Sequence, residues 1–497
     1  MLLASAIPIC FQITSRILAG TLLIVTLFVA ASGKAADTRN LPQLGDRASS
    51  IISLEQEREL GQDFLRSLRA QAPTISDPIL QEYLEHLIYK LALNSELQDR
   101  SLELIIIDAD SINAFAAPGG IVGVHDGLFV YAETEDEISA ILAHELAHLS
   151  QRHFARRSDA GRQASMTSLA GLLAGIVLIA AGSGDAGLAA MTAGQAATQG
   201  EMLRYSRAWE SEADRVGIRT LVDAGKDPRA MAAMFERLER ANRFQTSRIP
   251  EFLLTHPVTR DRIADSYNQA LQYPNREYQS SLDYQLMRAR VIVNTSRSPR
   301  DAISRMQADL DSADPVKRAA SQYGLTLAYT ESGQFERAMD YLNALKKTHN
   351  GKIAVMLAEA SLHNKAARYD EAGSILKDAL RLSPGNYPLT MAYADVLLKQ
   401  GKPERAQNVL VPLTSKRPND VHLWYTLAET YGLANNIVGV HEARAEYFVL
   451  VGNFDQAITQ LGYAIPLVTD NFQKTASIRT RIEEIHQMRM KREQRNS

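Results

Sequence analysis

The chain is nearly devoid of cysteine. Cys10 is the only cysteine in 497 residues, and it precedes the N-terminal apolar run, so it is not placed like a lipoprotein acylation site. A chain processed after this run would contain no thiol, which excludes disulfides, cysteine–metal sites and thiol nucleophiles from its chemistry. This composition is compatible with an oxidising compartment but does not by itself indicate one.

The chain also lacks a charge excess and an N-terminal apolar run of membrane-spanning length. Its 54 basic and 57 acidic side chains give a net charge of −3, which offers no argument for nucleic-acid binding. The apolar run, residues 17–31, covers 15 residues, whereas a helix that spans a bilayer needs about 20. Because Gly33 and Ala35 follow it, the run predicts a cleavable secretory signal peptide over residues 1–35. An uncleaved N-terminal anchor is the alternative.

What the chain does contain is the run His144-Glu145-Leu-Ala-His148. Residues four apart lie on one side of an α-helix, so both imidazoles can bind one metal ion, with Glu145 beside it. Thr134 and Glu137 have capping-box spacing and predict that this helix starts there. Apolar neighbours predict a partly buried helix, where unpaired imidazoles would be costly. The pattern predicts a zinc-dependent hydrolase; two histidines on a polar helix face are the alternative.

A third ligand is predicted on a second helix. His153 follows His148 by five residues, which on a continuous helix is about 140° around and away from the metal. Glu210 and Asp214 are one helical turn apart. We expect Glu210 to bind zinc and Asp214 to fix a histidine ring from behind. Glu212 is rotated away and is expected to be solvated or salt-bridged. Three acidic residues on a solvent-exposed helix face are the alternative.

The predicted chemistry is peptide hydrolysis at one Zn2+ per chain. Zinc acidifies water and polarises a peptide carbonyl, and Glu145 would take up the water proton and deliver it to the leaving amine. His256, with Arg262 close by in the sequence, is a candidate donor to the oxyanion or a candidate occupant of the open zinc position. A structural histidine before the turn residue Pro257 is the alternative.

Together these motifs resemble a known family. Five segments occur in the order found in the HtpX/Oma-like and prenyl-protease-like zinc peptidases, across about residues 50–270: 113–120 (NAFAAPGG), 127–128, 144–148, 210–214 and 255–257. The resemblance implies a zinc ion bound by His144, His148 and Glu210. It also implies that Glu145 is the base and that His256 acts near the metal and holds the enzyme latent.

Two strands are predicted beside the zinc helix, at residues 102–108 (LELIIID) and 120–124. An exposed strand edge lets an extended polypeptide pair through main-chain hydrogen bonds with little selection of side chains, which suits unfolded substrates. The family resemblance implies that the strand at 120–124 is the open edge.

A stretch without charge lies between the two ligand-bearing helices. Residues 164–184 contain no charged side chain, and neither do residues 186–200. Three interpretations are open for this stretch: a buried helical hairpin, a lid over the zinc cleft, and a peripheral contact with a membrane.

The C-terminal part of the chain is repetitive. Ala338, Ala372 and Ala406 recur every 34 residues, each five residues after a small residue. A helix–turn–helix period of this length with a packed alanine predicts a tetratricopeptide (TPR) solenoid, whose concave surface commonly binds protein. An arm that only stabilises the peptidase is the alternative. The highly charged residues 479–497 predict a solvated terminal helix that frays.

The sequence thus predicts an α+β fold that is mostly α, in more than one domain. The predicted parts are a signal peptide (1–35), a zinc metallopeptidase domain with a small β-sheet (36–270) and an all-α TPR solenoid (275–497). The predicted function is a zinc endopeptidase that degrades damaged or stalled polypeptides outside the cytoplasm.

The resemblance extends to a periplasmic, repeat-bearing branch of the family. It implies misassembled outer-membrane proteins as substrates, chaperone-like assistance to their assembly, and the outer-membrane barrel assembly machinery as the partner of the repeats. The alternative function is a TPR scaffold or chaperone with little or no proteolytic activity.

Overall fold

The structure is a computed structural model that describes residues 52–159, 164–183, 186–187, 189, 199–244 and 250–496. The predicted signal peptide, residues 1–35, lies outside the described residues. The part of the chain from Ile51 to Ser497 forms one compact unit. The predicted boundary between peptidase and repeats falls within residues 271–281, which contain no helix or strand, and the division into two domains stays a prediction.

Three strands of the described chain form a sheet: β1 (Glu103–Ile107), β2 (Ala114–Ala117) and β3 (Ile121–His125). The order is β1-β3-β2, with β3 parallel to β1 and antiparallel to β2. The strand near residues 120–124 is therefore central, and the expectation that it forms the open edge is wrong. The physical reason is the tight turn at Pro118–Gly120, where Gly119 and Gly120 have φ values of 76° and 80° and the chain folds β2 back onto β3.

The outer edge of β1 is closed by side chains and by a neighbouring segment. The Leu104 carbonyl accepts a hydrogen bond from the Gln81 side chain at 3.2 Å, and the Ile106 carbonyl accepts one from the Ile75 amide at 3.0 Å. The other edge of the sheet is β2, whose four residues are buried.

The helix that carries the two histidines is central to the first half of the chain. The described helices before residue 271 are α1 (Leu54–Gln71), α2 (Pro78–Leu93), α3 (Gly127–Tyr131), α4 (Glu135–Ser150), α5 (His153–Asp159), α6 (Ala164–Ala180), α7 (Gln199–Asp223), α8 (Ala230–Phe244), α9 (Glu251–Thr255) and α10 (Arg260–Ala270). α4 is buried from Glu137 to His148 and packs against α2, α7, α8 and β2. It begins where predicted, with the Thr134 hydroxyl accepting a hydrogen bond from the Glu137 amide at 3.2 Å.

Part of the uncharged stretch is a helix with a buried face. Leu173 and Val177 of α6 share one apolar cluster with Phe64 and Leu68 of α1, and the two helices pack against each other. This part of the stretch is therefore core and not a lid. Residues 190–198 lie outside the described residues, so the second arm of a hairpin stays a prediction. Within the described residues we find no helix that combines the length and the apolar character needed to cross a bilayer.

The second half of the chain is a series of packed helices. The described helices after residue 281 are α11 (Leu282–Thr295), α12 (Pro299–Gln307), α13 (Pro315–Glu331), α14 (Phe335–His349), α15 (Ile353–Lys365), α16 (Tyr369–Leu382), α17 (Tyr387–Lys399), α18 (Pro403–Lys416), α19 (Val421–Leu433), α20 (Ile437–Leu450), α21 (Phe454–Ala464) and α22 (Phe472–Asn496). Ala338, Ala372 and Ala406 are fully buried, as predicted. Gly333 and Ala367, five positions before the first two, turn the chain with φ values of 73° and 59°.

The last helix is not a fraying end. α22 buries Ile478 and Ile485, and Arg495 forms ion pairs with Glu59 and Asp63 of α1. The prediction of a solvated, fraying terminus is wrong for residues 479–496 because an apolar face runs beneath the charges of this helix.

Candidate metal centre

Four buried side chains meet beside the sheet: His144 and His148 of α4, Glu210 of α7, and His256, which caps the C-terminus of α9. Each offers one potential ligand atom, and these atoms all lie within 4.8 Å of one another. The sequence predicted three of these residues as ligands and placed His256 near the metal. The structure brings all four together.

Five distances between the histidine nitrogens and the Glu210 oxygens are close to the ligand spacing around a tetrahedral metal ion. His144 Nε2 lies 3.1 Å from His148 Nε2 and 3.4 Å from His256 Nδ1. Glu210 Oε1 lies 3.5 Å from His148 Nε2 and 3.1 Å from His256 Nδ1, and its Oε2 lies 3.4 Å from His144 Nε2. Ligands that are about 2.0–2.1 Å from a tetrahedral centre are about 3.4 Å from one another. Imidazole nitrogen and carboxylate oxygen are also ligands that zinc accepts.

One glycine lets α7 come close to α4. A methyl group on Gly217 would lie 3.2 Å from the His144 amide nitrogen and 3.0 Å from the Met231 side chain. The absence of a side chain at Gly217 therefore permits this close approach of the two helices. Glu210 precedes Gly217 by two helical turns on the same helix, so its distance from the histidines depends on this close approach.

Asp214 and Arg262 contact two of the four clustered residues, His144 and Glu210. Asp214 Oδ1 lies 3.0 Å from His144 Nδ1. Arg262 donates hydrogen bonds to both oxygens of Asp214, at 2.8 and 2.7 Å, and its Nη1 lies 2.9 Å from Glu210 Oε2. Although burial acts in the opposite direction, His256 and His144 hold the pKa of Glu210 well below its usual range. Glu210 is therefore ionised, as a metal ligand must be.

Comparison with known proteins gives the same architecture. Residues 78–268 match the model of peptidase family M48, and residues 363–430 match a tetratricopeptide repeat model. The beta-barrel assembly-enhancing protease of Escherichia coli (strain K12) is 32% identical over 480 residues, which are 96% of this chain and 97% of that protein. The chain belongs to the beta-barrel assembly-enhancing protease family.

Two further relatives extend this comparison. The putative beta-barrel assembly-enhancing protease of Vibrio cholerae is 35% identical over 90% of this chain and 93% of its own length. The mitochondrial metalloendopeptidase OMA1 of Schizosaccharomyces pombe is 30% identical over 45% of this chain and 64% of its own. The predicted family, the metalloendopeptidase class and the mostly α fold with a repeat arm are thereby confirmed.

In this member of the beta-barrel assembly-enhancing protease family, Glu145 lies beside the four clustered ligands. Its Oε2 accepts a hydrogen bond from the Ala116 amide of β2 at 2.8 Å. Its Oε1 is buried without a hydrogen-bond partner among the described residues, and lies 3.5 Å from His256 Nε2. Burial raises the pKa of Glu145. A carboxylate with a raised pKa and one free oxygen is suited to take up a proton.

Two contacts of this centre were not predicted from the sequence. The Ala116 amide had no sequence signal, because its role depends on β2 being the edge strand. His153 Nδ1 lies 2.8 Å from His148 Nδ1, although a continuous helix would carry His153 away. α4 ends at Ser150, and Arg152 has a φ of 50°, which reverses the chain.

Proposed function

We propose that this chain is a periplasmic zinc metalloendopeptidase that degrades misfolded or stalled outer-membrane proteins and assists outer-membrane protein assembly. The observation that carries the proposal is the buried ligand cluster with Glu145 beside it. His144, His148 and Glu210 would hold the zinc ion. Their donor atoms and spacing support zinc as the metal.

The residues around the cluster have distinct parts in hydrolysis. Zinc, when bound, supplies acidified water and a polarising charge for a peptide carbonyl. Glu145 accepts the water proton on the oxygen that carries no hydrogen bond and delivers it to the leaving amine. The Ala116 amide holds the other oxygen of Glu145 in place. Asp214, itself paired with Arg262, fixes the ring of His144.

The position of His256 supports a gating role for this residue at the metal site. Its Nδ1 lies among the ligand atoms, in the place that water and a substrate carbonyl need. His256 would therefore hold the enzyme latent in this state and leave that position before cleavage. His256→Ala should keep zinc and change the rate of cleavage. Loss of the metal in that variant would contradict a purely gating role.

Substrates would approach along β2 once the edge of this strand, which is buried in this state and whose Ala116 amide is bound by Glu145, becomes accessible. This strand lies next to α4, and β1 is closed on its outer side by the Gln81 and Ile75 contacts. Pairing with a strand edge selects weakly for side chains, which suits misfolded polypeptides. The TPR arm would bind substrate or the outer-membrane barrel assembly machinery. The name of the Escherichia coli relative, beta-barrel assembly-enhancing protease, supports this partner.

The periplasmic location is supported by the predicted signal peptide over residues 1–35 and by bacterial relatives named for β-barrel assembly. We propose no membrane contact for α6, because Leu173, Ile176, Val177 and Ile179 of this helix are buried in one cluster with residues of α1.

The test combines metal analysis with cleavage of unfolded casein by the parent and Glu145→Gln. We expect one zinc per chain in both proteins, and a loss of activity on the order of 10²–10⁴-fold in Glu145→Gln. Chelation should stop the parent and added zinc should restore it. Glu236→Gln, at an exposed glutamate of α8, is the matched control and should cut like the parent. A chain without stoichiometric zinc, or a Glu145→Gln variant as fast as the parent, would favour a TPR scaffold or chaperone.

A further inference from the structure

The two histidines of α4 have different partners behind them. His144 turns its Nδ1 to the Asp214 carboxylate at 3.0 Å. His148 turns its Nδ1 to another imidazole, with His153 Nδ1 at 2.8 Å. A metal-binding histidine commonly donates its second N–H to a partner that fixes the tautomer and the ring orientation. His153, the partner of His148, thus has no role in the proposed hydrolysis so far.

His153 is itself fixed in place. Its Nε2 lies 3.3 Å from Glu212 Oε2, and its ring stacks on Trp209 with centroids 5.7 Å apart and an angle of 20° between planes. Glu212 is also paired with Arg156 at 2.9 Å, as the sequence led us to expect. Only 5% of the His153 side chain is exposed, so these contacts determine its orientation.

The tautomers of His148 and His153 follow from the acceptor at the end of this series of contacts, the Glu212 carboxylate. A neutral imidazole donates with one nitrogen and accepts with the other, whereas an ionised carboxylate only accepts. The contact with Glu212 therefore places the proton of His153 on Nε2 and leaves Nδ1 as an acceptor. His148 must then donate from Nδ1, which leaves its Nε2 lone pair directed at the ligand cluster.

The backbone that delivers His153 is held in an unfavourable conformation. Arg152 has a φ of 50°, in the left-handed region that residues other than glycine rarely adopt. Its guanidinium donates to Glu57 Oε1 from Nε at 3.2 Å and from Nη2 at 2.8 Å, and to the Ile52 carbonyl at 2.7 Å. α1 thus clamps the turn between α4 and α5. This turn brings the His153 ring back against His148.

We propose that His153 is a positioning residue for the metal ligand His148, oriented by Glu212 and by the clamp between Glu57 and Arg152. His148 donates from Nδ1 to His153 Nδ1, and His153 donates from Nε2 to Glu212. We call these two hydrogen bonds the relay. This inference rests on the proposed zinc function, since a relay behind His148 matters only if His148 binds a metal ion.

The first test measures zinc affinity by competition with a chromophoric chelator. His153→Phe keeps an aromatic ring over Trp209 but removes the acceptor, and we expect the zinc Kd to rise about 10–100-fold. His153→Asn retains an acceptor near the Nδ1 position and should lose less. His441→Phe is the matched control in the repeat arm, where His441 Nδ1 lies 2.8 Å from Gln460 Oε1. It should bind zinc like the parent.

The second test examines the clamp and the hydrogen bond directly. Arg152→Gly accepts the positive φ but removes the ion pair with Glu57, so the zinc affinity of the folded chain should fall. In the zinc-loaded parent, NMR of 15N-labelled histidines should show a hydrogen-bonded Nδ1 proton on His148. That signal should disappear or shift in His153→Phe.

The outcomes separate the two proposals. A parent that binds no zinc overturns the proposed function itself. A parent that binds zinc, together with a His153→Phe variant of unchanged Kd, overturns the relay alone. An Arg152→Gly variant with parental affinity overturns the role of the clamp. If His153→Phe does not fold, absence of a hydrogen-bonded Nδ1 proton on His148 in the parent overturns the relay.

Discussion

The peptidase half and the repeat arm bury different kinds of polar residue. Among the described residues before 271, the buried side chains include many charged residues and histidines: Asp77, His125, Asp126, Glu137, His144, Glu145, His148, His153, Glu210, Asp214, Lys226, His256 and Arg262. Among the described residues after 271, the buried polar side chains are uncharged: Gln285, Ser321, Thr326, Thr330, Thr390 and Thr430. The two halves of the chain thus differ in whether their buried polar side chains carry charge.

Buried charges and buried hydroxyl groups need different partners. A buried charge is costly unless it is paired and hydrogen-bonded, so the charges of the peptidase half must lie in networks such as that of Arg262, Asp214 and Glu210. The buried hydroxyl of Thr430 needs only the Thr426 carbonyl one turn earlier, at 2.7 Å. The arm thus buries hydroxyl groups that pair locally, while the peptidase half also buries paired charges, among them those of the ligand cluster.

The largest expected effect of a substitution is at Arg262. Only 8% of its side chain is exposed, and it pairs with Asp214 and Glu210. Arg262→Met leaves two buried carboxylates without their cation, so the free energy of unfolding of the metal-free chain should fall by about 3–5 kcal/mol. Urea unfolding measures this change. Added zinc should recover part of the loss, because it binds only the folded state.

A large loss of stability, caused by lost apolar packing and not by lost ion pairs, is expected in the repeat arm. Leu342, Leu376 and Leu410 are 34 residues apart and fully buried, so they occupy equivalent positions in successive repeats. Each Leu→Ala change should lower the free energy of unfolding by about 2–5 kcal/mol through the lost contacts and the cavity. Cleavage by the folded fraction should be unchanged. A lower rate per folded molecule would mean that arm packing reaches the metal centre.

A third effect, on the free energy of unfolding at acid pH, is expected from a buried histidine of the peptidase half. His125, at the end of β3, is fully buried, and burial lowers its pKa to about 4. The unfolded chain takes up this proton at about pH 6.5, so the folded state should lose up to about 3 kcal/mol as the pH falls from there towards 4. His125→Asn should flatten that part of the curve of unfolding free energy against pH. Identical slopes for the parent and the variant would show that His125 does not contribute.

Helical geometry explains why the site was largely predictable from the sequence. His144 and His148 are four residues apart, as are Glu210 and Asp214, and this spacing converts sequence position into direction. The structure brings these two pairs together. No spacing alone indicates that the two helix faces meet. The family resemblance supplied that step. The 34-residue period likewise predicted the buried alanines of the arm.

Other features depend on boundaries and packing that local patterns do not contain. The place of β3 at the centre of the sheet is set by the turn at Pro118–Gly120 and by its neighbours, not by the residues of the strand. The position of His153 depends on where α4 ends, and the conformation of Arg152 decides that end. The buried face of α22 did leave a signal, because Ile478 and Ile485 are two helical turns apart in a charged segment.

The least loss of stability is expected at Arg481, where an arginine pairs with a carboxylate in similar geometry but with less burial. Arg481 donates two hydrogen bonds to Glu446 at 2.8 and 2.7 Å, much as Arg262 does to Asp214. However, 29% and 24% of the two side chains are exposed, so water can solvate Glu446 after Arg481→Met. The same urea measurement should show a loss below about 1 kcal/mol. A loss as large as that for Arg262→Met would mean that paired geometry, not burial, sets the effect. The buried charges of the peptidase half would then no longer distinguish it from the arm.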